Sequence, residues 1–127
     1  MNQSTLQTIA CVMTGVVALL HFYFLILEMF LWTKPAGRRA FRMSESQAEA
    51  TKVLAANQGL YNGFLVAGLV WSMVYPSMFF ARELGLFFLG CVIVAALYGG
   101  YSASRKILVV QGLPALIAFI FVYLATP

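Results

Sequence analysis

From Leu6 to Trp32 the chain carries no lysine or arginine and a single acid, Glu28, in a run dominated by Leu, Ile, Val and Phe. A helix needs roughly 20 such residues to cross the hydrocarbon core of a bilayer, so this stretch predicts a membrane span. The rest of the chain agrees. With 62% hydrophobic and 9% charged residues in 127, and a mean hydropathy of +0.89, a water-soluble domain of this size would aggregate, and a disordered chain would need more charge. Two cysteines, Cys11 and Cys91, are too few for a disulfide-stapled secreted fold. After loops are subtracted there is room for four or five spans and for no separate soluble domain. Residues 1–127 therefore read as a single all-α membrane domain.

Four spans are expected, over approximately 6–32, 50–75, 78–102 and 107–125. The first stops at Lys34-Pro35-Ala36-Gly37, where proline and glycine break a helix. No basic residue precedes it and it is long, so a cleaved signal peptide is not expected. The basic segment 33–49 follows as a loop. Ser44 and Ser46, each followed three residues later by Gln47 or Glu49, are overlapping capping-box patterns that open the second helix. That helix ends at Tyr75-Pro76-Ser77, with Trp71 and Tyr75 suited to the headgroup belt. The third closes at Gly99-Gly100. The fourth contains Gln111 and Pro114 in its first turns, where membrane helices tolerate proline.

The charges set an orientation. Lys34, Arg38, Arg39, Arg42 and Lys52 flank the first connection, and Arg105 and Lys106 the third. By the positive-inside tendency this end faces the cytoplasm of a plasma membrane, the bacterial inner membrane, with both termini on the other side. Arg82 alone lies toward the outside, where it is expected to snorkel to headgroups, with its neighbour Glu83 a weak partner. The basic cluster reads first as an anchor on anionic lipid; nucleic acid is not an expected partner.

Thr14, His21 and Glu28 are spaced by seven, close to two helical turns, and form one stripe. Ionisable residues in a span cost roughly 2.5–3.5 kcal/mol at mid-membrane and so face protein or water rather than lipid. The second span offers partners at matching depth: Asn57 and Tyr61, and Gln58 and Asn62, are two columns four residues apart. Tyr98 of the third span and Gln111 of the fourth fall in the same cytoplasmic half, while the outer half reads as almost purely apolar. Such groups also serve as interhelical glue. Small residues recur at Ala55, Gly59, Gly63 and Ala67 and at Cys91, Ala95, Gly99 and Ala103, stripes that allow close packing with each other or between subunits of a homo-oligomer. Both cysteines read as buried small hydrophobes.

There is no second histidine, CxxC, HExxH, P-loop or GxSxG, so metalloenzyme and serine-hydrolase chemistry has no footing and no cofactor or metal is expected.

The strings His21-Phe22-Tyr23-Phe24 through Glu28-Met29-Phe30-Leu31-Trp32, Ala56-Asn57-Gln58-Gly59-Leu60-Tyr61-Asn62-Gly63-Phe64 and Gln111-Gly112-Leu113-Pro114-Ala115 together resemble domain of unknown function family 1304, small membrane proteins of bacteria and fungi. The resemblance implies a four-span integral membrane protein and no assigned activity. A fainter likeness is to the membrane-associated eicosanoid and glutathione metabolism proteins, also four-span, with a polar site near the cytoplasm. Their Arg-Ala-His-Asn-like string is missing here, and only Asn57 or Asn62 stands in for its Asn.

The expectation is an integral membrane four-helix bundle with a polar cleft in its cytoplasmic half. His21, Glu28, Asn57 and Gln58 would line it together with Tyr61, Asn62, Tyr98 and Gln111, and it would bind a small or lipid-like ligand, with Glu28 as anchor and the amides orienting it. Two alternatives stand beside it: a transporter or channel subunit using His21 and Glu28 as a proton-linked pair, and an enzyme on a lipophilic substrate whose anionic group meets Arg38, Arg39 and Arg42.

Overall fold

The computed structural model describes residues 1–125. Those residues form helices joined by short turns, with no strand among them. Helix α1 runs Gln3–Met29, α2 Pro35–Phe41, α3 Glu45–Val74 and α4 Met78–Ser102; a π turn, Leu108–Gly112, leads into α5, Leu113–Leu124.

Local chemistry accounts for the ends. Asn2 caps α1 by accepting from Thr5 N at 2.9 Å. Ser44 and Gln47 form the capping box of α3, Ser44 Oγ accepting from Gln47 N and Gln47 Oε1 accepting from Ser44 N, so each satisfies a backbone donor left free by the first turn. The alternative box at Ser46 is not used; Ser46 lies inside the helix.

Two expectations are corrected at the basic end. The first helix stops at Met29 rather than continuing to Trp32, and the basic segment is not a plain loop, because it holds α2. Pro35 occupies the first turn of α2, where its missing N–H costs nothing. Gly37 is buried so close to the end of α1 that a Cβ there would stand 2.1 Å from the Leu31 carbonyl oxygen. Residues that read as breakers thus start a helix and fold it back. It closes at Arg42, whose φ of 52° lies in the left-handed region, with Met43 N bonding to Arg38 O at 2.9 Å in the 6→1 pattern of a Schellman end.

Contacts at glycines fix the antiparallel order. Gly63 meets Leu25 and Gly15 meets Met73 between α1 and α3; Gly68 meets Phe88 between α3 and α4; Gly90 meets Phe119 and Gly85 meets Val122 between α4 and α5. Since α5 also packs on α1, the segments close into a ring. Its core is Val17 of α1, Leu69 of α3, Leu89 and Val92 of α4, and Ala115 and Ala118 of α5, each at most 1% exposed.

Outside the ring the surface is apolar. Leu19, Phe22, Val53, Phe87, Val94 and Leu97 are all exposed, and α1, α3 and α4 are each long and apolar enough to cross a membrane. A surface of this kind is consistent with a lipid surround, where water would favour a polar exterior. The fourth segment, Leu108–Leu124, is apolar but shorter than these three.

The small-residue stripes do not pack on each other. The α3 stripe faces α1, where Gly59 and Gly63 touch Met29 and Leu25. On α4 the buried face is Gly85, Leu89, Val92 and Ala96, and Cys91 and Ala95 border an outward hollow. Cys11 is exposed and Cys91 half-buried, both free thiols, so neither is the buried core residue the sequence suggests.

Candidate polar site at the helix 1–helix 3 contact

The seven-residue stripe is buried along its length: Thr14 and His21 are 2% exposed and Glu28 is 3%. Periodicity alone places the three on one line, and the line faces the neighbouring helices. His21 Nδ1 lies 2.8 Å from the Val17 carbonyl, donating within its own helix, and its ring stands edge-on to Phe24 at 6.1 Å.

Glu28 is held from across the interface. Gln58 Nε2 donates to Oε1 at 3.0 Å and Asn62 Nδ2 donates to Oε2 at 2.7 Å. Gln58 and Asn62 are four residues apart and therefore share a face of α3. Gly59 makes the reach possible, since a Cβ there would meet Met29 Cγ at 2.6 Å and Glu28 Cβ at 3.1 Å. The backbones approach closely only because that side chain is absent. The result is a buried carboxylate with a donor on each oxygen, the arrangement that an apolar setting demands of a polar group.

Beside this cluster an open groove of about 530 Å³ runs toward the basic end, with Glu28 in its wall and Phe30, Trp32, Lys52, Asn57 and Leu60 along it. Trp32 is pinned: its Nε1 donates to Thr51 Oγ1 at 3.0 Å, Thr51 in turn donates to Gln47 O at 2.7 Å, and its ring lies 4.7 Å from that of Phe41 on α2. Lys52 is paired with Glu49. Arg38 bridges α2 and α3 through Glu45 at 3.2 Å.

Of the eight residues expected to share a cleft, Glu28, Gln58 and Asn62 are joined directly and Asn57 borders the same groove. Asn57 Nδ2 donates to its own helix at Val53 O. Tyr61 is 66% and Tyr98 70% exposed; Tyr61 stacks edge-on with Phe64, and Tyr98 borders the outward hollow on α4. Gln111 is half-buried in the π turn. His21, Tyr61, Tyr98 and Gln111 do not line the groove.

The opposite end is not purely apolar, and here the sequence reading is corrected. Arg82 folds inward: Nη1 donates to Glu83 Oε1 at 2.9 Å, Nη2 donates to the Tyr123 carbonyl at 3.0 Å, and the guanidinium lies 5.3 Å from the centre of the Tyr123 ring. Glu83 is thus a real partner although it is the next residue, because the long arginine side chain turns back. Thr14, Ser72 and Arg82 share a cavity there. The spacing of Thr14 and Ser72 among apolar residues was the signal available for it. Among the described residues no three His, Cys, Asp or Glu side chains are grouped to hold a metal ion.

The chain belongs to a family of proteins of unknown function, DUF1304, whose model matches residues 15–123. It is similar to the uncharacterized protein YpaA of Lactococcus lactis subsp. lactis strain IL1403, with 34% identity over 111 residues, covering 86% of this chain and 92% of that one. No solved structure matches it significantly.

Proposed function

We propose that this chain is an integral membrane protein of four spans, its basic end toward the cytoplasm, that binds an amphipathic, lipid-like ligand in the groove beside Glu28. The observation that carries the reading is a carboxylate 3% exposed forming part of the wall of a groove of about 530 Å³ that is otherwise largely apolar. Phe30, Val53 and Leu60 suit an acyl or prenyl chain, and Asn57, Thr33 and Lys52 suit its head. Because Lys52 is already neutralised by Glu49 and the carboxylate only accepts, the favoured head carries hydroxyl or amine donors. Gln58 and Asn62 hold the anchor in place; Glu28 and Asn57 meet the ligand.

Native mass spectrometry of the protein extracted in mild detergent tests this. A discrete non-protein mass retained by the wild type and lost in Glu28→Gln and Asn57→Ala, with helicity unchanged by circular dichroism, supports the reading. A bare protein, or an adduct that survives both substitutions, rejects it.

A further inference from the structure

The end of the molecule opposite the basic cluster carries a second, open cavity, of about 200 Å³, to which α1, α3, α4 and α5 all contribute. Its wall is mostly small or apolar, with Ala10, Met73, Gly85 and Val122, and its polar members are Gln7, Thr14, Ser72 and Arg82. Arg82 is the one charged side chain on that wall. A guanidinium has five N–H donors, and the structure uses one on Glu83 and one on the Tyr123 carbonyl. Its Nε is buried with no partner. Glu83, half exposed, does not border the cavity.

The space is left open by sequence. A Cβ on Gly85 would find Val122 Cγ1 at 3.4 Å and Ser72 Oγ at 3.7 Å, ordinary contact distances, so a methyl, and no more than that, fits where glycine stands. The cavity is somewhat larger than an engineered apolar cavity of about 150 Å³ that takes up benzene. After its pairing with Glu83 and the Tyr123 carbonyl, Arg82 still holds an unmatched Nε–H, and a strong hydrogen-bond acceptor such as a carboxylate, on a compact apolar body, is the complement of such a hollow.

We propose that this cavity is a binding site for a small amphipathic carboxylate, of aryl or short alkyl body, whose head is held by Arg82. The site is separate from the groove at Glu28 and stands or falls independently of it. A free carboxylate and the carboxyl or phosphate end of an anionic lipid share the required chemistry.

The probe is 4-fluorobenzoate, followed by ¹⁹F NMR on the full chain in phosphatidylcholine nanodiscs, with 4-fluorobenzamide as its neutral counterpart. A saturable shift with benzoate and none with the amide is expected. Arg82→Gln should weaken it by at least about tenfold. Gly85→Ala, whose methyl would stand 3.4 Å from Val122 Cγ1, should weaken it by narrowing the hollow without displacing α4 from α5. Asn57→Ala, in the other groove, should leave it unchanged. Suppression of the shift when phosphatidylglycerol replaces part of the phosphatidylcholine identifies anionic lipid as the resident source, and an unaltered shift identifies a free carboxylate. No saturable shift, equal binding of the amide, or binding unweakened by Arg82→Gln and Gly85→Ala overturns the proposal.

Discussion

Asn62 reaches across from α3 to place its amide nitrogen 2.7 Å from Oε2 of Glu28, joining two helices through residues 34 positions apart in sequence. The bond sits at the basic end of the interface, beside Gly59, where a Cβ would crowd Met29 and Glu28. Losing one donor leaves a buried oxygen unmatched. Interhelical hydrogen bonds in bilayers average about 0.6 kcal/mol, with a maximum near 1.7, so Asn62→Ala should destabilise by about 1 kcal/mol and Gln58→Ala by somewhat less. Their effects should be largely absent in a Glu28→Ala background, as coupling through a shared partner requires. Reversible unfolding in mixed micelles measures the cycle, and full additivity would contradict the geometry.

Glycine substitutions should divide by location. Gly59→Ala drives a Cβ to 2.6 Å from Met29 Cγ and should cost about 1–3 kcal/mol by overpacking, whereas Gly90→Ala, whose nearest neighbour is Phe119 at 3.9 Å, should gain up to about 1 kcal/mol of helix propensity. The same unfolding assay reads both. Equal tolerance at the two positions would mean that α1 and α3 are not in close contact.

Trp32 reports on the junction of α1, α2 and α3. In a Trp71→Phe background, which leaves Trp32 as the sole tryptophan, Thr51→Val removes the acceptor of its indole N–H. The expected loss is about 0.5–1.5 kcal/mol, accompanied by a changed emission maximum and easier quenching by acrylamide. An unchanged spectrum would show that the bond is not formed.

Ser44→Ala removes one half of the capping box. It should cost about 1 kcal/mol and speed amide exchange at the start of α3, most at Gln47, whose N–H bonds Ser44 Oγ. Exchange along the apolar body of α3 should be unaffected. A uniform acceleration across the helix would point to global loosening instead.

Much of this architecture is visible in the chain itself, because apolar run length and capping chemistry act locally. The breaks at Tyr75-Pro76-Ser77 and the cap at Ser44 need no knowledge of neighbours. Depth matching between adjacent antiparallel helices brings Glu28 to the level of Gln58 but sets Asn62 nearer His21, whereas Asn62 bonds Glu28. What escapes is rotational choice. On α4, small residues occur at four-residue spacing along more than one face, and the packed one carries Gly85, Leu89, Val92 and Ala96 rather than Cys91. Tyr61 and Tyr98 point outward because a tyrosine suits a lipid–water boundary as well as a cleft. Arg82 turns inward because Tyr123, far along the chain, offers a carbonyl and a ring, and no local pattern records that.

Gln58 and Asn62 take the two oxygens of one carboxylate from positions one turn apart. That arrangement behaves like a vernier: only a single axial setting lines up both marks. Sliding α3 by one turn, about 5.4 Å, in either direction would bring Leu54 or Val66 to where an amide belongs. A piston stroke between these two helices would break both bonds at once, so the pair resists axial sliding more than either bond would alone.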